Sequence, residues 1–312
     1  MACLRARDWR HWPGRHLRPG ETVATALAIH IHIDPNIIQV GRFLLTWHGF
    51  FTAVGIATAV FVVAMFAKRR GIVEDEVYNV ALWAIPGGIV GARLLFVIEN
   101  WRLFRHNLLD VFAVNEGGIS IYGALIGGAV AAWIYAWRRK LQMRALSDAA
   151  AFGLIVGQSI GRMGDFINGE HLAKATSLPW GFCYTHPNTL QVPICGPGAA
   201  GGEPVHPVAG AYEPLLMLGL FWVLLYLRRV IARDGVIFWL YVIGYAAIRF
   251  SLSFLRTNES TWGPLTVPQW IAIAMVVLAV AALLYIRRLP EKSPPPAPAS
   301  ARRPARPAAR SR

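Results

Sequence analysis

The sequence predicts an all-α, polytopic membrane protein with about seven transmembrane helices, its N-terminus outside and its C-terminus cytoplasmic. Three observations predict it. Only 15% of the 312 residues are charged and 55% are hydrophobic, whereas a soluble chain carries about 25% charged residues. Apolar runs long enough to cross a hydrocarbon core, about 20 residues, recur along the chain. Lys and Arg cluster after every second run. A bilayer accepts only helices or closed barrels, and runs of this length rich in Ala, Leu, Ile and Gly read as helices.

The first run, 43–67, ends at the KRR of 68–70, and the second covers 78–98. The third, 117–137, ends at RRK (138–140); the fourth is 146–163. The fifth, 213–227, ends at RR (228–229), the sixth is 236–255, and the seventh, 266–286, ends at RR (287–288). The fourth and fifth are short or polar-ended. The positive-inside rule puts the basic ends in the cytoplasm, so loops 99–116, 164–212 and 256–265 face outside.

The flanks differ from this seven-span unit, 33–286. Residues 1–32 form a basic extension with no apolar core, which is not a signal peptide; it is either a mis-assigned start or a true extension. Residues 287–312 hold eight Arg/Lys and one Glu. This Pro/Ala/Arg-rich tail reads as a disordered cytoplasmic segment drawn to the anionic headgroups of membrane lipids. Nothing aromatic interleaves its charges, so nucleic acid is not the expected partner. Cys183 and Cys195 share the outer loop, where a disulfide could persist, but two thiols in one loop do not decide the pairing. His30 and His32 alternate as on a strand. No CxxC, HExxH or other paired ligand spacing occurs, so neither a metal nor a cofactor is expected.

Ionisable residues inside spans are costly and are functional candidates by default. Arg93 lies in the second span, Arg162 ends the fourth and Arg249 lies in the sixth, with no local acid to compensate it. Arg162 and Arg249 both sit toward the outer leaflet, where two guanidiniums can hold one phosphate by forked hydrogen bonds. Glycines form the other theme. Gly87, Gly88 and Gly91, the pair Gly123/Gly127, and the series Gly153, Gly157, Gly161 have the spacing of close helix packing. GQSIG (157–161) spells a nucleophile elbow, but that motif has meaning only on a strand–turn–helix. No His accompanies it in the late spans, so Ser159 reads as a packing residue.

GRMGDFINGE (161–170), placed after the fourth span, resembles the signature of the prolipoprotein diacylglyceryl transferase family. IDPNIIQVGRFLLTWHGF (33–50), GARLLF (91–96), EGGISIYGALIGG (116–128), LPWGFCYTHPNT (178–189), HPVAGAYE (206–213) and the stretch from Arg249 resemble further motifs of that family, in order, over about 33–286. The resemblance implies an enzyme of the bacterial inner membrane that performs the first step of lipoprotein maturation. It would move the diacylglyceryl group of phosphatidylglycerol to the lipobox Cys thiol of a prolipoprotein signal peptide and release glycerol phosphate. Arg162 and Arg249 would cradle the phosphate; Asn168, Gly169 and Glu170 would line the headgroup end, with Asp165 and Arg93 as further substrate-binding candidates.

Several positions depart from the family pattern. Asp165 stands where Asn is common, Ser253 where a Glu follows the late Arg, and Ala173 where a Gly is usual. HPVAGAYE carries one extra residue. The third-span His is Tyr122, and the Tyr before Gly49 is His48. A phenol, ionising near pH 10, is a poor base and a good donor, whereas an imidazole titrates near neutrality. His48 could therefore take the thiol proton if spans one and three adjoin; both residues stay candidates for the catalytic set. The alternative is a divergent, non-catalytic lipid-binding or transport protein on the same scaffold.

Overall fold

The computed structural model describes residues 28–41, 43–105, 111, 118–169, 173–189, 195, 203–257 and 259–290. Among the described residues, seven long helices occupy the positions of the seven apolar runs: α1 (Trp47–Lys68), α2 (Glu74–Glu99), α3 (Ile121–Arg138), α4 (Met143–Asn168), α5 (Glu213–Val230), α6 (Val236–Ser253) and α7 (Val267–Arg288). Five of them, α1, α2, α5, α6 and α7, are long and apolar enough to cross a membrane. Only 22% to 33% of each of these is buried inside the protein, so most of their apolar surface faces outward. The chain is thus a mostly helical, multi-pass membrane protein.

The other two helices fall short in composition rather than length. The 18 residues of α3 reach about 27 Å at 1.5 Å per residue, but Gly, Tyr and Trp dilute its apolar character. The 26-residue α4 carries Asp148, Gln158, Ser159, Arg162 and Asp165, and it is the most enclosed helix of the bundle. Ser159 donates to the Ile155 carbonyl of its own helix at 2.9 Å, an ordinary back-bond one turn earlier.

Glycine explains which helices pair most closely. A Cβ at Gly91 or Gly127 on one partner would run into the backbone of Gly123 or Gly87 on the other, so α2 and α3 touch backbone to backbone. Between α1 and α4, a Cβ at Gly55 would stand 2.7 Å from the Gly157 carbonyl oxygen. Close approach of this kind replaces the hydrophobic driving force that a lipid environment lacks. Toward the basic ends of the helices, Phe66 and Phe152 stack with centroids 4.3 Å apart and Arg228 lies over Phe66. There the buried Asp148 accepts from the Gly235 and Phe238 N–H groups at 2.7 and 2.9 Å. A carboxylate on α4 therefore caps the first turn of α6.

The opposite end departs from a purely helical reading. Three two-stranded pairings form there: β1 (Ile29–Ile31) runs parallel to β4 (Phe182–Tyr184), and β2 (Asn36–Val40) and β3 (Phe43–Thr46) make a hairpin. The third joins β5 (Thr261–Trp262) to β6 (Leu265–Thr266). The parallel pair ties residues 29–31 to the loop between α4 and α5. Cys183 and Cys195 in that loop are joined by a disulfide. Residues 1–27 and 291–312, which hold most of the basic flanks, lie outside the described residues.

Candidate functional site

α4 delivers four residues to one stripe: Gln158, Gly161, Arg162 and Asp165 recur at the i, i+3, i+4, i+7 spacing of one helix face and line a cavity of about 590 Å³. α1 contributes His48 and Thr52, one turn apart, and α6 contributes Tyr245 and Arg249 at the same interval. α3 adds Ile121, Tyr122 and Leu125, and α7 adds Pro268, Ile271, Ala272 and Met275. The size falls in the range of small-molecule sites, about 300–1,000 Å³. One region of its wall is cationic and hydrogen-bonding, while α3 and α7 supply apolar flanks. An amphiphile with an anionic head has that same division.

Charged side chains along the cavity wall and behind it form one continuous chain. His48 Nδ1 lies 2.8 Å from Asp165 Oδ1, and the other Asp165 oxygen accepts from Arg162 Nη1. Arg162 Nη2 donates to Glu213 Oε1 at 2.7 Å, and Arg256 Nη2 donates to Glu213 Oε2 at 2.9 Å. Arg256 Nε stands 3.8 Å from Glu259 Oε1, to which Arg249 Nη2 donates at 2.6 Å. Arg249 also reaches Ser253 Oγ at 3.2 Å, and Thr266 donates to the far oxygen of Glu259 at 3.1 Å. Each acid is shared by two cationic or imidazole partners, which offsets the desolvation a buried carboxylate would otherwise suffer.

Exposure separates the arginines by role. Arg162 and Arg249 keep 23% and 18% of their side-chain surface, whereas Arg256 keeps 4%. Of the three arginines that line the cavity, the two that the sequence singled out are thus the more open, while the enclosed Arg256 braces Glu213 and Glu259. Each guanidinium has five N–H donors in a planar fork that suits an anion's oxygens.

The structure brings together Arg162, Arg249, His48, Tyr122 and Asp165. It places Arg93 elsewhere: its guanidinium donates to the Val111 and Gly118 carbonyls at 2.8 and 2.9 Å and lies over Phe104 and Phe96. That geometry ties α2 to the entry of α3. Asn168 is buried at the last turn of α4. Gly169 stops that helix with φ +65°, where a Cβ would meet Thr189 Cγ2 at 2.5 Å. Glu170 lies outside the described residues.

Other partners did not stand out in the sequence. The expectation that Arg249 has no compensating acid is corrected by Glu259, ten residues on. Glu213 and Arg256 were legible only through motifs: HPVAGAYE ends in Glu213. Its extra residue has a structural counterpart, because Val208–Tyr212 forms a π-helical turn immediately before α5, with Tyr212 N–H bonded to the Pro207 carbonyl. A single inserted residue in a helix produces this wider turn, and such turns are frequent at functional sites.

Comparison with known proteins identifies the family. The family described as prolipoprotein diacylglyceryl transferase matches residues 35–285. The phosphatidylglycerol–prolipoprotein diacylglyceryl transferase of Clostridioides difficile is 34% identical over 244 residues, 78% of this chain and 92% of the relative. Its counterpart from Ligilactobacillus salivarius is 32% identical over 259 residues, covering 82% and 94%. That from Gloeobacter violaceus is 34% identical over 257 residues, covering 81% and 93%. With a match that runs from the β2 strand through α7, the chain belongs to the prolipoprotein diacylglyceryl transferase family.

Proposed function

We propose that the protein transfers the diacylglyceryl group of phosphatidylglycerol to the lipobox Cys thiol of a prolipoprotein and releases glycerol phosphate. The observation that carries this reading is the cavity's division. Arg162 and Arg249 offer donors at its polar region, and Ile121, Leu125, Ile271 and Met275 supply apolar flanks. In the reaction sulfur attacks a glycerol carbon, a carbon–oxygen bond breaks, and charge gathers on the departing phosphate. Preorganised cations at that point lower the barrier because they bind the leaving group more strongly as its charge grows.

The same reading sets the protein in the bacterial inner membrane. All seven long helices cross it, the basic ends lie in the cytoplasm and the cavity end lies outside, where the signal peptide's Cys emerges. The apolar faces of α3 and α7 are the side from which lipid reaches the headgroup site.

The test is direct. Purified protein is incubated with phosphatidylglycerol and a synthetic lipobox peptide, and mass spectrometry follows the products. Diacylglyceryl-peptide together with glycerol phosphate is the expected result. Neither product, beside an active relative in the same assay, would reject transfer and leave a non-catalytic lipid-binding protein.

A further inference from the structure

We propose that Arg69 and Arg228 form a binding site for a phosphate group, of the kind that an anionic phospholipid or free phosphate carries, at the basic end of the bundle. The site is separate from the cavity and does not depend on the transfer reaction. α1 carries His48 in its first turn and Arg69 just past its last. At about 1.5 Å per residue these ends stand roughly 30 Å apart, the thickness of a hydrocarbon core. An anion held here is therefore a different one from any held by Arg162 and Arg249.

An aromatic shelf brings the two cations together. Phe66 of α1 is buried and stacked on Phe152 of α4. The Arg228 guanidinium of α5 lies 4.7 Å from the Phe66 centroid and 5.9 Å from that of Phe152, and the Arg69 guanidinium lies 5.4 Å from Phe66. A ring face attracts a guanidinium by its charge, whereas an anion is held by the N–H fork, so the two contacts are compatible. Like charges gathered on one ring repel, and an anion between them relieves the repulsion. The neighbouring acids are engaged elsewhere. Asp234 accepts from Arg70 at 2.8 Å, Glu74 pairs with Lys68 at 2.6 Å, and the two oxygens of Asp148 accept backbone N–H groups. Asp148 attracts Arg228 at longer range against the opposing charges of Arg69 and Arg70, so a cationic surplus remains among the described residues.

The cleft that Phe66, Phe152, Asp148 and Arg228 help to line is about 10 Å³, room for about one water, so the phosphate is seated at the surface rather than enclosed. Phe61 and Met65, two turns and one turn before Arg69, are exposed. At that spacing they share a helix face with Arg69 and offer an apolar track to the acyl chains of a lipid whose head reaches it. A phosphate bonded to both arginines joins α1 to α5 and stabilises the folded state by mass action.

The test uses the purified full chain in neutral detergent, with phosphatidic acid, phosphatidylcholine and inorganic phosphate as probes, read by native mass spectrometry and thermal unfolding. Wild-type protein should retain more phosphatidic acid than Arg69→Gln/Arg228→Gln, and its unfolding temperature should rise with phosphatidic acid. Phosphatidylcholine, whose choline neutralises its phosphate, should give no comparable rise. Arg69 is exposed, so Arg69→Gln should fold and carries the test alone; it should weaken binding about tenfold, as for one lost charge-assisted bond. Arg229→Gln removes the same charge from the residue beside Arg228 and should change nothing. A rise with phosphatidic acid alone would make the ligand a lipid headgroup, and an equal rise with inorganic phosphate would make it free phosphate. Equal retention and equal shifts in wild type and Arg69→Gln, or the same loss in Arg229→Gln, would overturn the site.

Discussion

Arg162 on α4 donates to Glu213 at 2.7 Å, joining residues 51 positions apart at the head of the cavity. Glu213 is 4% exposed and also holds Arg256. Removing its charge takes away the acid that Arg162 and Arg256 share. Glu213→Ala should destabilise the fold by about 3–5 kcal/mol, the cost of stranding a buried ion-pair partner, read as a lower unfolding temperature in detergent. Glu213→Gln keeps the shape and should cost less stability yet still impair transfer. A Glu213→Ala protein with unchanged melting would contradict the bracing role.

The arginines should separate by readout. Arg162→Ala and Arg249→Ala should each abolish detectable transfer, a loss of at least 10²–10³-fold for one removed electrostatic donor, while membrane insertion is retained. Arg162→Lys keeps the charge but loses the fork and should recover little. Arg256→Ala should instead reduce the amount of folded protein. Substantial activity in Arg162→Ala or Arg249→Ala would remove them from the phosphate site.

Gly161 tests the cavity without touching charge. It lines the space, and a Cβ there meets nothing within 4 Å. Gly161→Leu should therefore fold normally and bind lipid poorly. At Gly157 a Cβ would stand 2.9 Å from Gly55 O and Ala59 Cβ, so Gly157→Leu should lose about 1–3 kcal/mol through overpacking. Thermal unfolding and lipid co-purification distinguish the two; equal behaviour would contradict the assignment.

Asp148 supports the opposite end. It accepts two backbone N–H groups at the start of α6. Asp148→Ala leaves them unsatisfied and should cost about 1–3 kcal/mol with kcat little changed in the protein that remains folded. Hydrogen exchange at Gly235 and Phe238 should accelerate first.

His206 gives the loop between α4 and α5 a pH dependence. Burial, reinforced by the Lys174 charge, lowers its pKa below the ordinary value of 6.5. The folded state thus favours neutral imidazole. Its contribution is fully present above pH 6.5 and fades as pH falls through the lowered folded value, because the unfolded chain then binds more protons. Proteolysis around residues 203–212 should increase on acidification from pH 7 to 5, and His206→Gln should flatten that trend.

Much of this was legible in the sequence because lipid imposes strong rules. Helix positions follow from apolar runs, and Gly123, Gly127 and Gly157 announce close packing by their spacing. Arg162 and Arg249 stand out because charge is rare inside such runs. The acids behind them do not. Glu213 reads as the first residue of a span and Glu259 as a loop residue, and each acquires meaning only when folding sets it beside a guanidinium. Arg93 is a buried cation that stands out in the sequence, while its bonds to the Val111 and Gly118 carbonyls emerge only from the fold. The short strands escaped a helical reading because segments of two to five residues carry little periodicity.

The wide turn at Val208–Tyr212 has a consequence for how such a chain can change. Adding one residue to an α-helix swings everything beyond it by about 100°, which would carry Glu213 away from Arg162 and turn the lipid-facing side of α5 inward. Here the surplus is taken up as slack in the five residues before the helix proper. The chain can lengthen at that point while α5 keeps its bearing, so the loop is free to drift in length while the acid at its end stays in register.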